Sequence, residues 1–479
     1  MKLWRIVLLP AAFAALPAFA QSANLDCFAP ATPASKVAAC THSLESETLP
    51  ASTRALALLA RAEAFTAIGE SANALKDYDA ALALMPGDTT ALIARGKLFE
   101  AAGNNAKAET DYTTALKQDK ATAEAYALRG ALRLKRGATA DGIADLSEAR
   151  RLNPTDADTQ RLLGAIRLKD GQSNDAIATY TAALEANPRD ANALRGRATA
   201  YARAENYAAA ISDFSAALAT NPRDVAALEG RAMAALQNQA FMAAIADFSA
   251  LIELRPAEEG PVFFRANAKL QNGDAKGAIA DYSTFLAKHA VDSEALMGRA
   301  LARQIIGDYA GADADLTKIL GRDPTAAQPL ANRGYVRVML GRYTTAAIDL
   351  AKATTLPNAP LEVALWRYIA EARSGLKAET ALAATKISGD QWPTPVASYF
   401  LGAVAGDAVL AAANAEPQRA QGRLCEAYFY LGEAALIVKD TAEAEKLFKA
   451  AVATGMRRYT EYAGAEAELA RMATGAKSQ

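Results

Sequence analysis

The sequence is poor in the side chains that most often do chemistry. It holds two histidines, three cysteines and three tryptophans among 479 residues. His42 and His289 stand far apart, with no nucleophile, paired acid or metal-ligand spacing around either. No glycine-rich phosphate loop and no serine elbow occurs. Carboxylates are plentiful, but they recur at repeat spacing on helix faces that read as solvated rather than as a catalytic pair. The chain is therefore expected not to be an enzyme and to need no cofactor and no metal. An excess of one charge is lacking too. With 52 basic against 53 acidic residues the formal charge is −1, which gives no field to draw nucleic acid or an anionic membrane.

Long apolar runs are missing after residue 20. Before it, Lys2 and Arg5 precede an apolar stretch from Ile6 to Leu16, and Ala18-Phe19-Ala20 stands just ahead of Gln21. That is the three-part build of a secretory signal peptide, so residues 1–20 are expected to be removed and the mature chain to be periplasmic. The stretch is too short to cross a bilayer and carries Pro10 and Pro17. Three cysteines cannot make a disulfide scaffold, yet in an oxidising compartment Cys27 and Cys40 lie close enough to pin an N-terminal cap region, 21–54. The alternative is a pair of small buried thiols. Cys425 reads as one more small buried residue.

What is present is a period. Tyr78, Tyr112, Leu146, Tyr180, Phe214, Phe248, Tyr282, Leu316 and Leu350 follow one another at a constant step, 112 − 78 = 34 and 350 − 316 = 34. A turn glycine keeps phase at Gly69, Gly103, Gly137, Gly171, Gly273, Gly307 and Gly341, and a proline at Pro86, Pro154, Pro188, Pro222, Pro256 and Pro324. Alanine recurs four residues before the aromatic, as at Ala74, Ala108 and Ala210, where a small side chain lets two helix backbones approach. Helix, tight turn, helix and proline-marked exit make one unit. This pattern resembles the tetratricopeptide repeat. The resemblance implies an all-α fold, a right-handed superhelical solenoid of helix-turn-helix units, with nine units over 55–360, a degenerate one over 361–391, an irregular helical insert over 392–424, a further unit over 425–458 and a capping helix with tail over 459–479.

A charge ladder runs in the same phase. Arginine holds the seventh position of the units and aspartate the twenty-third, giving the structural pairs Arg95 with Asp111, Arg231 with Asp247 and Arg299 with Asp315. In the unit from Ala157 both are replaced, by Leu163 and Thr179. Pairing inside each unit leaves one orphan, Arg367, with Ala383 opposite. The ladder is expected to clamp the two helices of each hairpin.

Beyond the generic repeats, Trp392-Pro393, Tyr399-Phe400-Leu401-Gly402, the stretch Cys425 to Gly432, and Glu461-Tyr462 with Gly464-Ala465, Ala467-Glu468-Leu469 resemble the C-terminal part of NlpI-like envelope repeat proteins. That family is lipid-anchored and serves as an adaptor for cell-wall hydrolases and proteases. Here position 21 is glutamine, so the lipid-accepting cysteine is missing. In tetratricopeptide arrays the first helices line the concave side, and on the corresponding positions stand Arg161, Arg195 and Arg203, then Phe263, Phe264, Met297, Leu301, Tyr335, Met339 and Trp366. A basic stretch followed by an aromatic and methionine-rich one suits an extended peptide with an acidic part and apolar anchors. The competing reading has the returning C-terminal helices cover the apolar residues. The expected partners are other proteins or peptides, envelope enzymes in particular, and no nucleic acid. The alternative role is a structural component of an export, polysaccharide-secretion or cofactor-assembly complex.

Overall fold

The computed structural model describes residues 25–29, 32–357, 359–385 and 391–474; residues 1–20, where a signal peptide is expected, lie outside them. Every regular element among the described residues is helical. The chain divides into two compact units, Met1–Asn221 and Pro222–Gln479, at the junction of the fifth and sixth repeats.

In the first unit a short turn, Leu25–Phe28, precedes α1 (Pro33–Leu44), and five hairpins follow. They are α2 (Ala51–Ala67) with α3 (Ser71–Leu84), α4 (Thr89–Ala101) with α5 (Asn105–Gln118), and α6 (Ala123–Lys135) with α7 (Thr139–Leu152). Then come α8 (Ala157–Lys169) with α9 (Ser173–Ala186) and α10 (Ala191–Arg203) with α11 (Tyr207–Thr220). Cys27 and Cys40 are joined as a disulfide, with Cα atoms 4.5 Å apart, and pack on Ala57 and Ala60 of α2.

The second unit continues with α12 (Val225–Gln237) and α13 (Phe241–Leu254), α14 (Gly260–Gln271) and α15 (Ala275–Leu286), α16 (Ser293–Ile305) and α17 (Tyr309–Arg322), and α18 (Ala327–Met339) and α19 (Tyr343–Thr354). The period then breaks. α20 (Leu361–Arg373) is full length, but its partner α21 (Glu379–Ala383) has five residues. The insert supplies α22 (Thr394–Phe400) and α23 (Gly406–Asn414). A last hairpin, α24 (Ala420–Ile437) with α25 (Thr441–Ala453), leads into α26 (Thr460–Thr474). The spacing expects the last repeat to open at Cys425; α24 begins five residues earlier, at Ala420.

Local chemistry explains why each hairpin starts and turns where it does. The aspartate before a first helix caps it: Asp88 accepts from Ala91 N at 2.8 Å, Asp156 from Thr159 N at 2.8 Å and Asp292 from Ala295 N at 2.9 Å. The first helix ends on a residue with positive φ, such as Gly103 at 76°. Where glycine is missing, Glu205 and Gln239 take φ of 59°, at a cost of about 1–2 kcal/mol each. Inside the hairpin the aromatic of the second helix lies against a backbone without side chain. A Cβ on Gly96 would stand 2.5 Å from the Tyr112 ring, and one on Gly432 2.7 Å from Phe448.

Candidate functional site

The arginine ladder is internal. Arg95 donates from Nε to Asp111 Oδ2 at 2.8 Å and from Nη2 to Oδ1 at 2.6 Å. The same two-point clamp joins Arg231 to Asp247 at 2.8 and 2.7 Å and Arg299 to Asp315 at 2.9 and 2.7 Å. The aspartates are buried, with Asp315 only 1% exposed. A buried carboxylate is tolerable there because both oxygens are satisfied by a planar guanidinium. Hydrogen bonds to Asp111 and Asp247 hold the guanidinium groups of Arg95 and Arg231 above their ordinary pKa.

Two features of the ladder escape the sequence reading. First, the remaining Nη1 reaches back to the preceding repeat: Arg129 donates to Thr113 Oγ1 at 3.2 Å, Arg299 to Ser283 Oγ at 3.0 Å and Arg333 to Thr317 Oγ1 at 3.2 Å. The arginine therefore ties hairpin to hairpin as well as helix to helix. A hydroxyl or Asp79 recurs two residues after the aspartate column, and that recurrence was the available signal. Second, a basic residue one turn after the arginine adds a second cation. Arg133 reaches Asp145 at 2.9 Å, Lys269 reaches Asp281 at 2.8 Å and Arg303 reaches Asp315 at 2.7 Å. Arg367, the orphan of the ladder, donates from Nε to Glu371 Oε1 on its own helix at 2.6 Å and from Nη1 to Thr354 Oγ1 at 3.1 Å.

In the first unit, α4, α6 and α8 are first helices of three successive repeats, and between them runs a groove of about 600 Å³. Its floor is Ala123, Ala127 and Ala131, small side chains that leave the backbone within reach, with Leu128 beside them. Its walls carry Lys97, Lys135 and Arg161 beside Glu100, Glu124 and Asp158. Lys97 pairs with Glu124 at 2.5 Å, Lys135 with Glu100 at 2.6 Å and Arg161 with Asp158 at 2.8 Å. Thr159 also lines the groove; it is buried and its hydroxyl has no hydrogen-bond partner among the described residues. Arg195 donates to Asn192 Oδ1 at 2.9 Å, and Arg203 is held by the carbonyl of Leu168.

In the second unit Phe263 and Phe264 are half-buried. Phe263 lies 5.2 Å from Phe285 between ring centroids, and Phe264 stacks on Phe248 at 5.8 Å. Met297 is half-buried and accepts from Asn332 Nδ2 at 3.3 Å. Leu301 is 46% exposed.

Three residues expected on the open face are enclosed instead. Met339 and Trp366 are buried and belong to one core with α20, α24 and α26. Tyr335, half-buried, sits 5.0 Å from Trp366 between ring centroids, and Arg471 of α26 grips the Met339 carbonyl. The cover is α26, whose small residue Gly464 lets it descend onto Phe429 and Trp366, where a Cβ would meet them at 2.6 and 3.2 Å. Apolar side chains at repeat positions look alike in sequence whether water or a distant helix faces them.

Beneath α26 lies a set of buried acids. Glu461 Oε1 accepts from Trp366 Nε1 at 3.1 Å and from the Tyr430 hydroxyl at 3.0 Å. Glu468 accepts from the Tyr343 hydroxyl at 2.9 Å, and Glu433 from Arg373 at 2.6 Å. Burial, with the charge of Glu461, pushes Glu426 up to about 8, although Trp392 Nε1 donates to it at 2.6 Å. Burial and the neighbouring Glu468 also raise Glu433. Glu468 goes the other way: its burial is outweighed by Arg373 and Arg471. Cys425 is buried, which pushes its thiol up to about 11 and away from nucleophile chemistry. Among the described residues no cluster of side chains suited to a metal ion occurs, and no helix is long and apolar enough to cross a membrane.

A family model described as tetratricopeptide repeat matches residues 93–157, 162–219, 197–259 and 265–326. No curated protein matches the chain. Among solved structures, a tetratricopeptide repeat protein from Parabacteroides merdae is 21% identical over 59% of this chain and 98% of its own, with a TM-score of 0.32. YrrB, a TPR protein with an unusual peptide-binding site, is 22% identical over 41% of this chain and 98% of its own, with a TM-score of 0.35. The C-terminal part of a TPR repeat-containing protein from Cytophaga hutchinsonii is 20% identical over 57% of this chain and 97% of its own, with a TM-score of 0.36.

Proposed function

Because the chain is a tetratricopeptide repeat protein, we propose that it is a scaffold that holds other proteins or peptides against the first helices of its repeats, and that it works in the periplasm, recruiting envelope enzymes. The observation that carries the reading is the groove across α4, α6 and α8. Its alanine floor admits an extended chain close to the helices, and its ion-paired walls can exchange partners with a polar ligand. In the second unit, exposed Leu301 and half-buried Phe263, Phe264 and Met297 supply apolar anchors of the kind that concentrate binding energy. Export is supported by the build of residues 1–20 and by the disulfide between Cys27 and Cys40, which persists in an oxidising compartment. The choice of envelope enzymes as partners rests on the NlpI-like residues from Trp392 onward.

The test is a crosslinking pull-down from the native envelope with the wild-type chain and with Lys135→Glu/Arg161→Glu. The reading expects a hydrolase or protease in the wild-type eluate that drops at least several-fold with the double variant. An unchanged set of captured proteins, or a chain found only in the cytosolic fraction, would overturn it.

A further inference from the structure

Outside the periodic repeats, α22 and α23 meet the hairpin of α24 and α25 along a cleft of about 530 Å³, a size within the range of ligand pockets. Its floor is aromatic: Phe400 stacks on Tyr368 with ring centroids 4.3 Å apart and planes 17° from parallel. Its rim is apolar and open. Val404 is 37% exposed, and Val438, at 75%, is the most exposed large apolar side chain among the described residues. Three carboxylates, Asp407, Asp440 and Glu443, line the cleft, and no lysine or arginine does. Two of them have local partners. Asp440 caps α25 by accepting from Glu443 N at 3.1 Å, and Glu443 pairs with Lys446 at 3.0 Å. Asp407, in the first turn of α23, has no side-chain partner among the described residues.

We propose that this cleft is a docking site, separate from the first-helix groove, for an apolar segment of a partner protein that carries a lysine or arginine beside its apolar residues. Burying the segment's apolar side chains against Phe400, Leu410 and Leu431 and under Val404 and Val438 removes apolar surface of both molecules from water. The adjoining cation meets Asp407, with Asp440 and Glu443 behind it. A segment with an acidic flank faces Asp407 and Asp440, with only Glu443 offset by Lys446, which turns the same rim into a filter.

The probe is a short fluorescein-labelled leucine–lysine peptide, set against a leucine–glutamate peptide of the same pattern, titrated into the full chain and followed by anisotropy. Val438→Ser and Asp407→Lys alter a highly exposed side chain and an unpartnered one, and circular dichroism checks that both variants keep the helical fold. The leucine–lysine peptide should bind the wild type, weaken roughly tenfold or more in each variant, and be indifferent to Arg161→Glu, which acts on the groove of the other unit. Equal binding by wild type and cleft variants would overturn the proposal, as would equal binding of the leucine–glutamate peptide. A concentration-dependent dimer abolished by Val438→Ser would overturn it too, by giving the cleft to a second copy of the chain.

Discussion

The repeats and the C-terminal assembly bury carboxylates by opposite means. In the repeats each buried aspartate meets an arginine sixteen residues away in sequence, both oxygens are taken, and the arrangement recurs in eight hairpins from Arg61 with Asp77 to Arg333 with Asp349. In the C-terminal assembly buried Glu433, Glu461 and Glu468 and half-buried Glu426 are collected from α24 and α26, and their partners come from residues as distant as Tyr343 and Trp366. The first solution is local and modular, so one unit can drop it: Leu163 and Thr179 replace arginine and aspartate together, and Arg167, the second cation of that unit, donates to the Thr179 hydroxyl and the Asp175 carbonyl instead. The second is a single interlocked core, and removing a member exposes the others.

The comparison breaks most easily at Trp366. Trp366→Ala should cost the second unit about 3–5 kcal/mol, since it deletes a buried side chain and removes a donor from Glu461 at once. Urea unfolding followed by circular dichroism measures it, and a loss no larger than that of an exposed substitution would mean that α26 is not integral to the core.

A pH titration separates the two regions next. Glu426 is held near 8, above its ordinary 4.5, so its folded form prefers the proton more than its unfolded form does. The stability it confers is complete below about 4.5 and is lost as pH rises through about 8. Between pH 6 and pH 9 the C-terminal assembly should lose about 3 kcal/mol from this group, and Glu426→Gln should flatten the profile. Glu433 acts in the same direction, while Glu468, held low, opposes it below its ordinary range.

A smaller effect is expected in the ladder. Asp315→Ala strands Arg299 and Arg303 and should cost about 1–3 kcal/mol. The pair of changes Arg299→Leu and Asp315→Thr, copying the natural Leu163 and Thr179, should cost less than the single change. Thermal unfolding of the three chains decides it, and a double variant less stable than Asp315→Ala would contradict the modular reading.

The same contrast explains what could be read from sequence. The period fixed helix starts closely, because Asp88, Asp156 and Asp292 cap the helices that begin one residue later. The pairs Arg95 with Asp111 and Arg299 with Asp315 were legible because two charged columns vanish together in one unit. The burial of Met339 and Trp366 was not, since it depends on α26 returning from more than ninety residues later in the chain, as the 95-residue separation of Trp366 and Glu461 records. Nor was the groove across α4, α6 and α8: its alanine floor shares the composition of the packed interior, and only the unsatisfied Thr159 hydroxyl and the paired walls distinguish it. The cleft beside Val438 lies between the last hairpin and the insert of α22 and α23, and on the insert's side no column of residues repeats.

The working surface is best tested by site-specific photo-crosslinking in the intact cell. A photoreactive residue at Ala131, on the groove floor, should capture a defined partner, while one at Lys117, exposed at the end of α5, should not. Adducts from Lys117 alone, or equally from both positions, would contradict the assignment of binding to the first helices.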